Sequence, residues 1–241
     1  TEVRTGTQYT PDGSPNLSDL TFLPKAGFTG SVQIGYEGTD SRGKTFRGQI
    51  RIQVNQGSGS RYFQDMGSYA WAAPYVDLLY EAGVITGTGG QRYRPADAVS
   101  RGDFMLMLYR AFQLTPASGA GFPDVPPGSY YAQAIQAARA AGIASGYPDG
   151  GFHPQEPVTR QDAMVLLERT MQATGWSLGA ANTGYLSGFR DGGMVAPYAQ
   201  EAMSHMIEYG IITGTPEQKL NPIQSISRAE MAVMLARAIT F

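Results

Sequence analysis

Three arginines occur in one recurring local sequence, with a serine or threonine directly before each and an acidic residue two positions after it. The three tetrads are Ser100-Arg101-Gly102-Asp103, Thr159-Arg160-Gln161-Asp162 and Ser227-Arg228-Ala229-Glu230. A hydroxyl followed three residues later by a carboxylate is typical of a capping box, in which both side chains satisfy backbone N–H groups at the start of a helix. An arginine in that first turn opposes the helix dipole by about 0.3–1 kcal/mol. The pattern therefore predicts a negative partner for each arginine.

The negative partner can come from outside or from inside the chain. An external carboxylate would meet free backbone N–H groups, the helix dipole and a forked guanidinium that can donate two hydrogen bonds to it. The internal alternative is a salt bridge to Asp65, Asp124 or Asp191. The local sequence leaves both interpretations open.

The tetrads belong to a longer pattern that recurs three times along the chain. It recurs after 59 residues, from Phe63 to Phe122, and after 67 residues, from Phe122 to Phe189. Each copy opens with Phe-x-Asp, continues with an aromatic residue that starts an amphipathic run, and has a loop glycine before the arginine. These shared positions are Asp65, Asp124 and Asp191, then Trp71, Tyr130 and Tyr198, then Gly87, Gly146 and Gly214.

Each copy reads as helix, loop, helix. In the second copy the first helix is predicted over about 132–141, and the second begins at Thr159. A unit of this kind exposes an apolar face on both helices, so the copies must pack on one another. Because no copy has the polar face of a terminal cap, we predict a mainly α fold, in which the three repeats close into a six-helix bundle with approximate three-fold symmetry.

The N-terminal segment has a different period. Polar and apolar residues alternate over Thr45–Val54 and again from Val32 to Tyr36, with the turn-forming residues 40–43 between them. This pattern predicts a β-hairpin and therefore a small N-terminal antiparallel β segment. Leu20–Pro24 and the opening residues are candidates for a third and a fourth strand. The predicted organisation is a β module at 1–57, a linker at 58–60, repeats at 61–115 and 120–176, a connector at 177–188, and a third repeat at 189–241.

The other repeated positions have both structural and binding interpretations. The aromatic residues are ordinarily core or helix-end packing, but flat rings also suit the apolar face of a sugar. The loop glycines are most simply turn residues, although a bare backbone also lets a ligand approach closely. The two histidines, His153 and His205, lie at non-equivalent positions, so we interpret both as structural.

Composition argues against several function classes. The chain has no cysteine and none of the nucleophile-elbow, zinc-protease or P-loop motifs, so we expect no catalysis, no metal and no cofactor. Its 18 basic and 20 acidic residues give a net charge of −2, which disfavours nucleic acid as a partner. No apolar run reaches the roughly 18 residues of a membrane span, so we expect no membrane insertion.

Residues 61–241 resemble three tandem S-layer homology (SLH) domains. Ile226-Ser227-Arg228-Ala229-Glu230 is close to the Ile-Thr-Arg-Ala-Glu signature of that family, and the run Gly146–Phe152 matches its central loop. The resemblance implies an extracellular anchor at the bacterial cell wall or S-layer, which binds pyruvylated secondary cell-wall polysaccharide in grooves between neighbouring repeats. It also implies that the pyruvate carboxylate meets the signature arginine and that the opening aspartates, helix aromatics and loop glycines complete the grooves. The implied ligand-binding set is Arg101, Arg160, Arg228, Asp65, Asp124, Asp191, Trp71, Tyr130, Tyr198, Gly87, Gly146 and Gly214.

Departures from the family pattern affect the details. The loop of the first repeat is looser and Gly102 is expected to weaken its second helix by about 1 kcal/mol relative to Ala, so Arg160 and Arg228 rank above Arg101 as ligand contacts. The N-terminal strands resemble part of a bacterial immunoglobulin-like module, which needs about 100 residues to be complete. We therefore expect them to be completed upstream, to lean on the helical part, or to pair with another copy of the chain. The alternative function is a self-assembly or protein–protein adaptor module without a glycan ligand, and an enzyme acting on wall glycan ranks third.

Overall fold

The computed structural model describes residues 30–39, 42–54, 59–119 and 121–240. The chain divides into two compact units, Thr1–Gln56 and Gly57–Phe241. The described part is mainly helical and carries a small antiparallel sheet in the N-terminal unit, which confirms the predicted fold class.

The sheet is the predicted hairpin. Strand β1 (Gly30–Thr39) pairs antiparallel with β2 (Thr45–Val54), and Ile34 lies opposite Ile50. The ion pair between Arg47 and Glu37, 2.6 Å long, joins directly opposed residues. The candidate strands before Gly30 lie outside the described residues, so the immunoglobulin-like assignment stays a prediction.

The second unit contains the three predicted helix pairs. The helices α1 and α2 belong to the first repeat, α3 and α4 to the second, and α5 and α6 to the third. Their bounds are Ala73–Glu81 (α1), Arg101–Ala111 (α2), Ala132–Ala140 (α3), Arg160–Ala173 (α4), Gln200–Glu208 (α5) and Arg228–Ile239 (α6). The first helix of each repeat is followed by a glycine in the left-handed conformation, with φ of +69°, +72° and +67° at Gly83, Gly142 and Gly210.

The repeats pack in a cyclic order. Helix α1 packs against α6, α3 against α2, and α5 against α4, so each first helix lies on the second helix of another repeat. Val99, Val158 and Ile226, which precede the three tetrads, form a closed ring of backbone hydrogen bonds. Val99 donates to Ile226, Ile226 donates to Val158 and Val158 donates to Val99, over 2.9–3.0 Å. A closed bundle requires this order of contacts, while the approximate three-fold symmetry stays a prediction.

The core lies among these helices and beneath the ring. Val99, Val158 and Ile226 are at most 1% exposed, and helix methionines such as Met105 and Met164 are equally buried. Of the repeat-opening phenylalanines, Phe63 and Phe122 are buried and Phe189 is half-buried against the core. The ring therefore joins the starts of the three second helices through fully buried residues, which places the three arginines around one buried centre.

The starts of the second helices are capped as predicted, with one difference. Ser100, Thr159 and Ser227 each accept a hydrogen bond from the backbone N–H three residues on. The reciprocal bond, from the cap N–H to the acidic side chain, is present at Ser227 and Glu230. Glu230 accepts from the Ser227 hydroxyl as well, whereas Asp103 and Asp162 accept from the cap hydroxyls alone, because an aspartate is one methylene shorter than a glutamate.

The structure also revises the expectation for Gly102. A Cβ atom at this position would lie 2.9 Å from the ring of Tyr131 and 3.0 Å from the carbonyl oxygen of Pro154. The missing side chain makes room for the buried Tyr131, which directly precedes α3 of the neighbouring repeat. At the positions equivalent to Gly102 and Tyr131, the other interfaces have Gln161 with Ala199 and Ala229 with Ala72. Gly102 is therefore fitted to its partner, and the expected penalty in helix propensity is offset by packing.

Candidate functional site

Each tetrad arginine reaches from its own repeat into the loop of the next one. The Nε atoms of Arg101, Arg160 and Arg228 donate to the carbonyl oxygens of Phe152, Leu220 and Tyr93, at 3.1, 2.8 and 2.8 Å. The arginine backbones are tied to the same neighbours, as Arg101 N–H donates to Glu156 over 2.9 Å. Because Nε is held in this way, the outer guanidinium nitrogens point away from the anchoring carbonyl. The three candidate sites, named here the Arg101, Arg160 and Arg228 grooves, are thus built across interfaces between repeats.

The opening aspartates hold the same loop segments from within their own repeats. Asp124 accepts from the backbone N–H groups of Phe152 and His153, over 2.7–3.1 Å. Asp65 binds the corresponding groups of Tyr93 and Arg94, and Asp191 those of Leu220 and Asn221. Burial raises the pKa of Asp65 and Asp124, but the backbone bonds more than offset it and leave each pKa below the ordinary value. These aspartates position the loops, and among the described residues none of them forms an ion pair with a tetrad arginine.

The loop glycines are required by packing. A Cβ on Gly146 would lie 2.6 Å from the ring of Phe122 and 2.9 Å from the carbonyl oxygen of Gly151, and Gly87 and Gly214 meet Phe63 and Phe189 in the same way. Gly146 and Gly214 also have φ of +78° and +73°. This geometry accounts for the turn interpretation, while close approach of a ligand to these glycines stays a prediction.

Arg101 is the most buried of the three arginines. It is 7% exposed, and its guanidinium lies over the rings of Tyr147 and Phe152, at 4.7 and 4.9 Å. Within the described part of the chain it forms no ion pair with a carboxylate. The pKa of Tyr147 is raised, chiefly by burial. The charge of Arg101 acts to lower this pKa and the charge of Asp162 acts to raise it, so both groups lie close enough to Tyr147 to affect it.

Arg228 has a similar but more open setting. Its guanidinium lies 4.5 Å from the centre of the Tyr93 ring, and Nη2 donates to the carbonyl of Thr86 over 3.1 Å. It too forms no ion pair with any described carboxylate. Burial and a hydrogen bond to Asp103 raise the pKa of Tyr130 to about 12, and the charge of Arg228 acts in the opposite direction. Tyr130 and Asp103 therefore border the Arg228 groove.

Arg160 differs from the other two. Its Nη1 donates to Oε1 of Glu230 at 3.0 Å, and its side chain is 11% exposed. Arg160 donates to the carbonyl oxygen of Leu220, where the other two arginines bind an aromatic residue. Leu220 therefore offers no ring to the guanidinium. In this groove the protein itself supplies a carboxylate.

The helix aromatics lie at the surface rather than in the core. Tyr130 and Tyr198 are 67% and 60% exposed, and their hydroxyls donate to Asp103 and Asp162 at 2.7 and 2.8 Å. Burial of the hydroxyl and the bond to Asp162 raise the pKa of Tyr198 to about 12. Trp71 is 41% exposed. Asp103 and Asp162 thus contact the tyrosines of the next repeat, a role that does not follow from their use as helix caps.

The histidines have structural partners. The His153 ring contacts Glu156 and Asp149 at 2.9 and 2.7 Å, and these bonds raise its pKa. His205 is buried and pairs with Glu168. Among the described residues, no group of three or more His, Cys, Asp or Glu side chains is placed to hold a metal ion. None of the helices described above is long and apolar enough to cross a membrane.

The fold and the grooves define a class of protein: a closed helical repeat module with cationic clefts between its repeats. Residues 62–105, 121–164 and 188–232 match the model of the S-layer homology domain, and the chain belongs to that family. This confirms the three tandem repeats and indicates a cell-surface or cell-wall location.

Several curated relatives match through the repeats. The chain is 29% identical to the surface-layer 125 kDa protein of Lysinibacillus sphaericus, over 73% of this chain and 14% of that protein. It is 28% identical to an endoglucanase of Bacillus sp. (strain KSM-635), over 72% of this chain and 18% of the enzyme. An S-layer protein of Bacillus thuringiensis subsp. finitimus is 24% identical, over 75% of this chain and 21% of that protein. The chain thus spans less than a quarter of each relative, and the resemblance to the enzyme lies in the SLH region.

Proposed function

We propose that this chain anchors an exported or S-layer protein to the bacterial cell wall by binding pyruvylated secondary cell-wall polysaccharide in the grooves between its repeats. Membership of the SLH family and the similarity to surface-layer proteins support anchoring at the wall. In this proposal the repeats bind and do not catalyse.

The observation that carries the proposal is the buried, unpaired charge of Arg101. Arginine stays protonated at all relevant pH values. A buried charge is costly unless a counter-ion and hydrogen bonds compensate it. Rings and one carbonyl oxygen surround Arg101, but no described carboxylate pairs with it. A carboxylate carried by a ligand would supply the missing charge, and a pyruvate ketal places such a group on an otherwise neutral sugar.

The exposed aromatics support a sugar as the carrier of that carboxylate. Tyr130, Tyr198 and Trp71 are exposed, and the two tyrosines contact acids of the preceding repeat. Such rings pack on the apolar face of a pyranose while a hydroxyl or indole N–H keeps a polar contact. In the proposal the ligand's sugar ring lies against the aromatic residue and its carboxylate faces the arginine.

Sedimentation with purified cell-wall sacculi tests the proposal. The protein should pellet with native sacculi and stay in solution with sacculi from which the pyruvyl groups have been removed. Equal retention on both preparations contradicts the carboxylate mechanism, and no retention on either preparation favours an adaptor function.

A single substitution sharpens this test. Arg228→Ala should weaken binding by about 1.5–3 kcal/mol, the range of a hydrogen bond to a charged group. Arg110→Ala is the matched control, because it removes the same charge from the exposed far end of α2. Equal losses in the two variants would indicate general charge attraction rather than a groove.

Self-association through the N-terminal strands is a second proposal, which stays untested. The observation in its favour is that Tyr36 and Ile50 of the hairpin are 47% and 44% exposed. An exposed apolar sheet face favours association with a further strand or with another chain.

A further inference from the structure

We infer that the identity of the helix aromatic decides which arginine is free to receive a carboxylate, and that Arg160 is the one held back. The inference rests on the proposed binding of a pyruvate-ketal carboxylate in the grooves. It assigns Trp71 and Glu230 as specificity-determining residues that make the Arg160 groove weaker than the other two.

The tetrad acids help to cap the starts of the second helices. In each acid, one carboxylate oxygen accepts from the cap hydroxyl. The bonds are Ser100 to Asp103 Oδ2 at 2.9 Å, Thr159 to Asp162 Oδ2 at 2.7 Å and Ser227 to Glu230 Oε2 at 2.7 Å. One oxygen of each acid is left for a further partner.

The partner of the remaining carboxylate oxygen differs between the repeats. In two repeats it accepts from a tyrosine hydroxyl, as Tyr130 donates to Asp103 and Tyr198 to Asp162. Trp71 stands at the equivalent position in the first repeat and has no hydroxyl. The free oxygen of Glu230 is bound by Arg160 instead, and the longer glutamate side chain gives it the reach.

The contact between Glu230 and Arg160 hinders the binding of a ligand carboxylate to this arginine. At Arg160 a ligand must displace Glu230 or share the guanidinium with it against like-charge repulsion. At Arg101 and Arg228 the nearby aspartates are occupied by the tyrosines, and no described carboxylate pairs with either arginine. Arg101 and Arg228 therefore form the stronger grooves. This order departs from the ranking by loop sequence, which placed Arg160 above Arg101.

Isothermal titration calorimetry with a defined probe tests the inference. The probe is a methyl glycoside that carries a 4,6-pyruvate ketal, and the same glycoside without the ketal is the blank. The wild-type protein should bind two equivalents strongly and a third at least about fivefold more weakly, the factor that corresponds to about 1 kcal/mol for an ion pair near the surface. Arg101→Ala and Arg228→Ala should each remove a strong equivalent, and Arg160→Ala should remove the weak one.

The decisive variant is the double substitution Trp71→Tyr and Glu230→Asp, which gives the interface between the third and first repeats the residue pair of the other two interfaces. It should convert the weak equivalent into a third strong one. The reverse change, the double substitution Tyr130→Phe and Asp103→Glu, should place an internal carboxylate within reach of Arg228 and weaken one strong equivalent about fivefold. Far-UV circular dichroism and the melting temperature confirm that each variant is folded.

The outcomes separate this inference from the function on which it rests. Three equal equivalents in the wild type, loss of a strong equivalent in Arg160→Ala, or a double variant that keeps two strong equivalents overturns the inference and leaves the function intact. Probe binding no stronger than that of the blank, in the wild type and the double variant alike, rejects the proposed function itself.

Discussion

At the scale of single residues, one side chain can hydrogen-bond to two different repeats. Asp103 caps α2 through its contact with Ser100 and at the same time accepts from Tyr130 of the next repeat. The capping role follows from the local sequence, because it needs only a spacing of three residues. The second contact depends on which repeat packs beside α2, and no local pattern encodes it.

Gly102 gives the first prediction at this scale. Helix propensity alone would make Gly102→Ala more stable by about 1 kcal/mol. The contacts of the added Cβ with Tyr131 and the Pro154 carbonyl, at 2.9 and 3.0 Å, predict the opposite. We expect the variant to be less stable than the wild type by about 1–3 kcal/mol, as in other overpacked cores, in urea unfolding followed by circular dichroism.

A double-mutant cycle checks the cause. In a Tyr131→Ala background the same Gly102→Ala change should be neutral or stabilising, since Ala229 and Ala72 form the equivalent pair at another interface. A penalty that persists without the tyrosine ring would point to the carbonyl contact or to the helix backbone.

At the scale of elements, the loops of the repeats are the parts that position the site. The loop of the second repeat is held by Asp124 at the backbone of Phe152 and His153, and by the His153 side chain between Asp149 and Glu156. His153 has φ of +60°, and the equivalent residues Arg94 and Asn221 have φ of +56° and +51°. The aspartate therefore stabilises a left-handed residue beside each groove.

His153 makes this loop sensitive to pH. Hydrogen bonds to Glu156 and Asp149 raise the pKa of His153 in the folded protein above its unfolded value of about 6.5. The stabilisation is therefore fully present below pH 6.5 and is lost as the pH rises through the folded pKa. The facing groups are the carboxylates of Asp149, Glu156 and Asp124 and the ring of Tyr147.

His153→Asn tests this element, because asparagine tolerates the left-handed conformation and already occupies the equivalent position 221. The variant should have a lower melting temperature than the wild type at pH 5 and a nearly equal one at pH 9. A difference that is the same at both pH values would show that the histidine acts through packing alone.

The structural elements follow from the sequence more directly than the contacts between them do. Helix positions, caps and the hairpin follow from local rules, so Thr159 directly precedes α4 and the strands β1 and β2 pair as the sequence predicts. The pairing of Arg160 with Glu230 depends on contacts 70 residues apart and on the absence of a hydroxyl at Trp71. The sequence therefore predicts which residues surround the grooves but not which of them pair with one another in each groove.

At the scale of the whole molecule, the ring of Val99, Val158 and Ile226 joins all three repeats through backbone hydrogen bonds in the buried centre. Each arginine groove spans two repeats, so the grooves exist only while the repeats are packed together. A repeat in an open array contacts only its sequence neighbours and can unfold in part. Closure predicts instead that the helical unit unfolds as one.

Ile226→Ala tests this cooperativity. Truncation of a fully buried isoleucine should cost about 2–5 kcal/mol, and the loss should appear as one lowered transition. Far-UV circular dichroism of the helices and near-UV signals of the ring-bearing grooves should melt at the same temperature in wild type and variant. Ile226 belongs to the third repeat, whereas the Arg101 groove lies between the first and second repeats. Binding of the ketal probe to the Arg101 groove should nevertheless be lost over the same temperature range in which the helices unfold. Separate transitions, with the Arg101 groove still binding after the third repeat has melted, would show that the repeats are independent units and that closure contributes little to the site.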